Sequence, residues 1–182
     1  MTEQMLRDTA PACGLGFGIL RYFNVAGADP RGRTGQSTPE ATQLIKVAVE
    51  VAVGRRDGVA IFGTDWLTPD GTGVRDDIHV SDLADAHVRV MEHLRAGRPN
   101  VTFNCGYGRG ASVREVLDAV ERAAGTTINS RLEPHRASDP PALVADPGRL
   151  VATLDWRPRH DDLATIVTTA LAWERRLNGL AA

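Results

Sequence analysis

Short apolar runs that alternate with amphipathic helical stretches constrain this chain more than any other feature. Ile19–Phe23, closed by Asn24 and Gly27, reads as a short buried strand, and Val59–Phe62 and the run VTFNCG read the same way. Between them, the dense apolar spacing of Glu40–Val53 predicts a buried helix ended by Gly54. Ser81 is the expected N-cap of a helix to about Leu94 that carries Leu83, His87, Val90, Met91 and Leu94 on one face. On that face His87 reads as a satisfied core histidine. Ser112 caps VREVLDAVERAAG, whose Val113, Val116, Leu117 and Val120 form a stripe. TTINSRLEP is extended, Asp146–Pro147 starts a helix with Pro147 at its first position, and Asp162–Leu177 is amphipathic. The opening TEQMLRDTA reads as the end of a helix closing near Asp8. Strands alternating with helices place the chain in the α/β class.

Composition narrows the function. With 21 basic and 23 acidic side chains among 182 residues, the net charge of −2 gives no bulk attraction for nucleic acid. No apolar run reaches membrane-spanning length, and MTEQMLRDTA does not read as a signal peptide. Cys13 and Cys105 lack metal-ligand spacing and cannot form a disulfide framework, which fits a reducing, cytoplasmic compartment. Lys46 is the one lysine in the chain.

Several motifs bear on chemistry. DGTGVRDD sets Arg75 after a glycine-jointed turn and directly before Asp76 and Asp77, an arrangement that could offer one fixed guanidinium to a polyanion. EPHRASDPP places Arg136 three residues before Asp139 and stiffens the segment with Pro140 and Pro141, so that a guanidinium could meet phosphate and a carboxylate sugar hydroxyls. GYGRGA satisfies a G-x-G-x-x-A dinucleotide pattern, but Glu133 lies further on than the usual spacing of about 20 residues, and a tight turn capped by Ser112 is the preferred reading. His79 and His87 are too far apart to share a helix face as metal ligands. The chain carries neither G-x-S-x-G nor Tyr-x-x-x-Lys.

Taken together, LRYFNVAGADP, VAVGRRDGVAIFGTD, TPDGTGVRDDIHVSDLADAH and SDPPALVAD resemble the UDP-glucose 4-epimerase family of extended short-chain dehydrogenases/reductases. The resemblance covers nearly all of this chain and about the second half of the family's protein. It implies a C-terminal substrate-binding lobe plus late strands of a Rossmann-like parallel sheet, truncated, within residues 1–182. The family uses tightly held NAD to oxidise the sugar at carbon 4 and return hydride to the opposite face. Carried over by position, Asn24 touches the nucleotide sugar and Tyr22 lies near the nicotinamide. Gln43 and Leu44 close over the phosphates, and Ala60, Ile61 and Phe62 wall the uracil. Arg75 and Arg136 grip the diphosphate and Asp139 the ribose hydroxyls, with Asp76 orienting the Arg75 guanidinium from the rear.

Two departures qualify the resemblance. The family's glycine-rich NAD loop, catalytic Ser/Thr and Tyr-x-x-x-Lys have no counterpart here, so the NAD site is expected to be incomplete and the chain inactive alone. Asp77 stands where the family usually has Tyr, and an acid beside a phosphate-binding arginine is expected to weaken anion binding. The expected partners are a UDP-sugar and an N-terminal epimerase half or a second copy in a homodimer, with no nucleic acid and no membrane. The alternatives are half of a split epimerase or a stand-alone sugar-nucleotide binding module.

Overall fold

Each apolar run finds a partner far along the chain, and those pairings organise the architecture. The computed structural model describes residues 1–180. In chain order the elements are α1 (Thr2–Cys13), β1 (Gly18–Arg21), β2 (Asn24–Ala26), α2 (Leu44–Ala52), β3 (Val59–Phe62), β4 (Val74–Arg75), β5 (Asp77–His79), α3 (Val80–Arg95) and β6 (Val101–Asn104). They continue as β7 (Ala111–Ser112), α4 (Val113–Ala124), β8 (Ser130–Glu133), β9 (Ala142–Leu143), α5 (Gly148–Leu154) and α6 (Leu163–Leu177). Parallel pairs form between β1 and β6, β2 and β5, and β3 and β8. β4 lies between antiparallel β7 and parallel β9. This is an α/β fold built from short, mostly parallel sheets.

Two apolar clusters stabilise it. One joins α2, α4 and α6 to β3 through Ile45, Val49, Ile61, Val116, Val120 and Val167. The other gathers Ile78, Leu83, Val90, Phe103, Leu150 and Trp156 around α3 and β6. Within the first, the buried Lys46 ammonium sits between Glu174 of α6 and Glu50, whose Oε1 is 3.1 Å away. Ion pairing and hydrogen bonding make that burial tolerable.

Several expectations shift. The helix at the start runs past Asp8 to Cys13 and closes on the left-handed Gly14. The expected strand Ile19–Phe23 divides into β1 and β2, and between them Tyr22 and Phe23 are exposed; only Ile19 of the run is buried. The helix expected from Glu40 begins at Leu44 because Glu40 takes a positive φ of 53° and Gln43 is extended. Pro147 is the N-cap of α5 rather than its first helical residue. His87 is not a core histidine: the buried face of α3 is Leu83, Ala86 and Val90, while His87 and Met91 are exposed. The Ser112 cap is as expected, a capping box closed by Glu115.

His79, not Ser81, caps α3: its Nδ1 accepts from Ser81 N at 3.1 Å, and its Nε2 lies 3.1 Å from the Thr169 hydroxyl. That cap requires the neutral ring. Burial, reinforced by His160 alongside, lowers the His79 pKa from 6.5 to about 4. Above 6.5 the ring is neutral in both folded and unfolded chains. Between 6.5 and 4 the unfolded chain takes up a proton that the folded chain refuses. Stability from this residue is therefore lost as pH falls through that window, by about 3 kcal/mol in all. Urea unfolding should show that acid loss, and His79→Gln should flatten it; equal slopes in parent and variant would contradict the assignment.

Candidate functional site

The turn that sets Arg75 in place is built by Asp70. Its carboxylate accepts from Thr72 N at 2.8 Å, from the Thr72 hydroxyl at 2.7 Å and from the Ser112 hydroxyl. Gly71 has φ 78°, and a Cβ there would stand 2.2 Å from the Thr64 carbonyl oxygen, so only glycine fits. β4 emerges from this turn held on both sides by β7 and β9. Arg75 then lies back to donate from Nη1 to the Val74 carbonyl at 2.8 Å. Among the described residues it has no carboxylate partner.

Arg75 lines a cleft of about 470 Å³ walled by β3, the start of α2 and the segment around residues 131–139. Asn24, Gln43, Leu44, Ala60, Phe62, Arg136 and Asp139 line the same space. Ile61 does not: strand alternation turns its side chain into the core. Tyr22 lines an adjoining cleft of about 480 Å³ that shares Asn24 and Gln43 with the first.

Arg136 stacks 4.3 Å from the centre of the Phe62 ring and pairs with Asp139 Oδ2 at 2.9 Å. The left-handed Ser138, φ 70°, folds the loop back so that this pair can meet. Arg56, Trp66 and Arg131 also line the cleft, and the sequence reading did not single them out. For Arg131 the one signal was its alternation, in the extended TTINSRLEP run, with Glu133, with which it pairs at 2.8 Å; its register opposite Ala60 appears only in the folded sheet. Arg56 had none, since only the folded loop brings its guanidinium to Glu50 and to the Ala41 carbonyl at 2.8 Å. Trp66 packs against the His135 ring with centroids 4.0 Å apart, and His135 pairs with Asp65.

The cleft thus combines four guanidiniums, one without a carboxylate, with an apolar wall at Phe62 and Trp66. Such a lining suits a polyanion that also carries a flat apolar group.

Asp76 does not orient Arg75. Its buried carboxylate accepts from the backbone amides of Tyr107 at 3.0 Å, Gly108 at 3.3 Å and Ala145 at 3.2 Å. Burial raises its pKa, and those three amides oppose the rise. The same bonds decide the fate of GYGRGA. Its Tyr107 and Gly108 amides are spent on Asp76, and a Cβ on Gly106 would lie 2.5 Å from the Asp76 carboxylate. That loop cannot cradle a pyrophosphate, and β7 intervenes before α4. Ser112 as a structural cap is the correct reading of the motif.

Comparison with known proteins places this geometry. The profile of the NAD dependent epimerase/dehydratase family matches residues 1–106. The UDP-glucose 4-epimerase of Azospirillum brasilense is 59% identical over 177 residues, 97% of this chain and 51% of that protein. Among solved structures, the Brucella ovis UDP-glucose 4-epimerase in complex with NAD superposes with a TM-score of 0.89 at 44% identity, covering 93% of this chain and 52% of that one. The Bifidobacterium longum enzyme in complex with NAD+ and UDP gives a TM-score of 0.88 at 37% identity, over 96% and 52%. The chain spans about half the length of the curated relatives it matches. No helix among the described residues is long and apolar enough to cross a membrane. With a family profile over more than half its length and these relatives at this identity, the chain belongs to the NAD dependent epimerase/dehydratase family.

Proposed function

We propose that this chain is the sugar-nucleotide-binding portion of a UDP-glucose 4-epimerase and works in the cytoplasm. The observation that carries the reading is Arg75, a guanidinium without a carboxylate partner in a cleft that also holds Arg136 stacked on Phe62. In this reading Arg75 and Arg136 clamp the diphosphate, the Ala60–Phe62 edge and the Phe62 ring receive the base, and Asp139 leaves Arg136 for the ribose hydroxyls. Gln43 and Leu44 at the start of α2 cover the phosphates. Asn24, common to both clefts, meets the sugar between nucleotide and cofactor, with Tyr22 on the cofactor side.

NAD supplies the hydride acceptor in the family, and the residues described here do not make a complete cradle for it. Tyr22 offers an aromatic face, but the GYGRGA amides are already committed to Asp76. Oxidation of the sugar therefore depends on a segment or partner that brings the rest of the cofactor site. The outer edge of β1, which bonds to β6 alone among the described strands, supports completion by further polypeptide.

Titration calorimetry with UDP-glucose tests the binding role. Loss of one charged contact should cost about 1.5–3 kcal/mol, so Arg75→Ala and Arg136→Ala should each bind at least about tenfold more weakly. The polypeptide of residues 1–182, without a Tyr-x-x-x-Lys, should show no conversion of UDP-galactose. Equal affinity in parent and both variants would overturn the assignment of the cleft.

A further inference from the structure

We propose that Arg56 and Trp173 are positioning residues for sugar-nucleotide binding, which between them fix residues 35–43, the segment that borders both clefts. The proposal rests on the sugar-nucleotide reading above, in which Gln43 and Leu44 cover the phosphates. Gln43 lines both clefts, Thr42 and Leu44 the first, and Gly35 and Gln36 the second. Whatever sets the course of this segment therefore sets the shape of both.

Its own backbone does not set it. Among the described residues, no helix or strand lies between β2 and α2, and no backbone–backbone hydrogen bond involves residues 35–42. Two side-chain donors take the place of a ladder. At one end the Trp173 indole Nε1 donates to the Gln36 carbonyl at 3.1 Å, and Gly35 packs so closely on the ring that a Cβ there would stand 2.5 Å from it. At the other end Arg56 Nη2 donates to the Ala41 carbonyl at 2.8 Å. Gln36 Nε2 donates to the Gln43 side-chain oxygen at 3.0 Å and closes the segment on itself.

Both anchors trace to α6. Trp173 acts directly, and its neighbour Glu174 acts through a relay of alternating charge across α2. Glu174 holds Lys46, whose Nζ lies 3.1 Å from Glu50 Oε1, and the other Glu50 oxygen accepts from Arg56 Nε. A planar guanidinium fixed at Nε presents Nη2 in one direction, which a lysine ammonium would not do. Without either anchor, Gln43 and Leu44 leave the phosphates for part of the time. A segment in place in about one tenth of the molecules weakens binding about tenfold.

Two variants test the roles. Arg56→Met keeps the aliphatic stem. Trp173→Phe keeps a ring against Gly35, loses only the donor and alters no charge, and it carries the test by itself should Arg56→Met not fold. Glu40, exposed beside the Ala41 anchor, is the reporter: a glutamate-specific endoproteinase cuts there in proportion to the population of the opened segment. Each variant should be cut after Glu40 at least about tenfold faster than the parent and regain resistance on saturation with UDP-glucose; calorimetry should show UDP-glucose bound about tenfold more weakly. Faster cutting with unchanged affinity would mean that the course of the segment does not matter to binding. Weaker binding by Arg56→Met with cutting unchanged would mean a direct charge effect. Either result would overturn the positioning role and leave the assignment of the cleft to Arg75 and Arg136 intact. Absence of UDP-glucose binding by the parent chain would overturn both.

Discussion

Asp76→Ala is expected to lower the thermal midpoint of this protein by about 10 °C. The substitution strips the Tyr107, Gly108 and Ala145 amides of their shared acceptor in a site where the Asp76 side chain is 2% exposed. Buried donors left without partners cost about 1–3 kcal/mol each, and partial relaxation keeps the sum below three full penalties. About 3 kcal/mol, at roughly 2–4 °C per kcal/mol for a chain of this size, gives the shift. Asp76→Asn should lose less than half as much. It keeps one acceptor oxygen and removes a charge that burial already disfavours, as the raised pKa of the carboxyl indicates. Circular dichroism melts decide the matter: an alanine variant melting within about 2 °C of the parent would mean that water replaces the carboxylate at little cost.

A second large effect is expected at β1. Parallel strands normally lie between neighbours and beneath helices on both faces. Among the described strands β1 pairs with β6 alone, and the exposed Tyr22 and Phe23 follow directly on it. Amide exchange at Ile19–Arg21 should therefore be at least about a hundredfold faster than in α2, α4 and α6, whose mutual contacts form the larger cluster. Adding a polypeptide that corresponds to the remaining length of a UDP-glucose 4-epimerase relative should slow exchange in β1 by about tenfold or more. Slow exchange there in the partner-free monomer would contradict completion by further polypeptide and favour a self-sufficient binding module.

The elements most legible in the sequence were those whose own residues decide them. Ser112 and Glu115 write a capping box into the chain, and Val116 and Val120 write the buried stripe behind it. Val59–Phe62 carries both its strand and its alternation, which also explains why Ile61 faces the core while Ala60 and Phe62 face the cleft. Helix ends such as those at Gly14, Glu40 and Pro147 shifted through local backbone conformation, whereas the misreadings that bear on the site depended on a partner distant in sequence. The break between β1 and β2 follows from two different pairing strands, β6 and β5. His79 displaces Ser81 as a cap because Thr169 holds its ring from α6. Asp76 looked like a companion to Arg75 from adjacency alone, and only the folded chain reveals three amides converging on it. Arg56 entered the cleft lining for the same reason, through contacts with Glu50 and Ala41 that no local pattern announces.

The buried Lys46 has one further consequence. It is the chain's single lysine, and folding encloses its amine between Glu174 and Glu50 at 7% side-chain exposure. Amine-directed crosslinkers and lysine-modifying enzymes therefore meet a folded surface that, apart from any terminal amine, offers them no accessible amine. The ammonium form held by two carboxylates has no free electron pair to react, so opening of the α2–α6 contact must come first. Acylation of Lys46 thus becomes a chemical clock for the opening of that core.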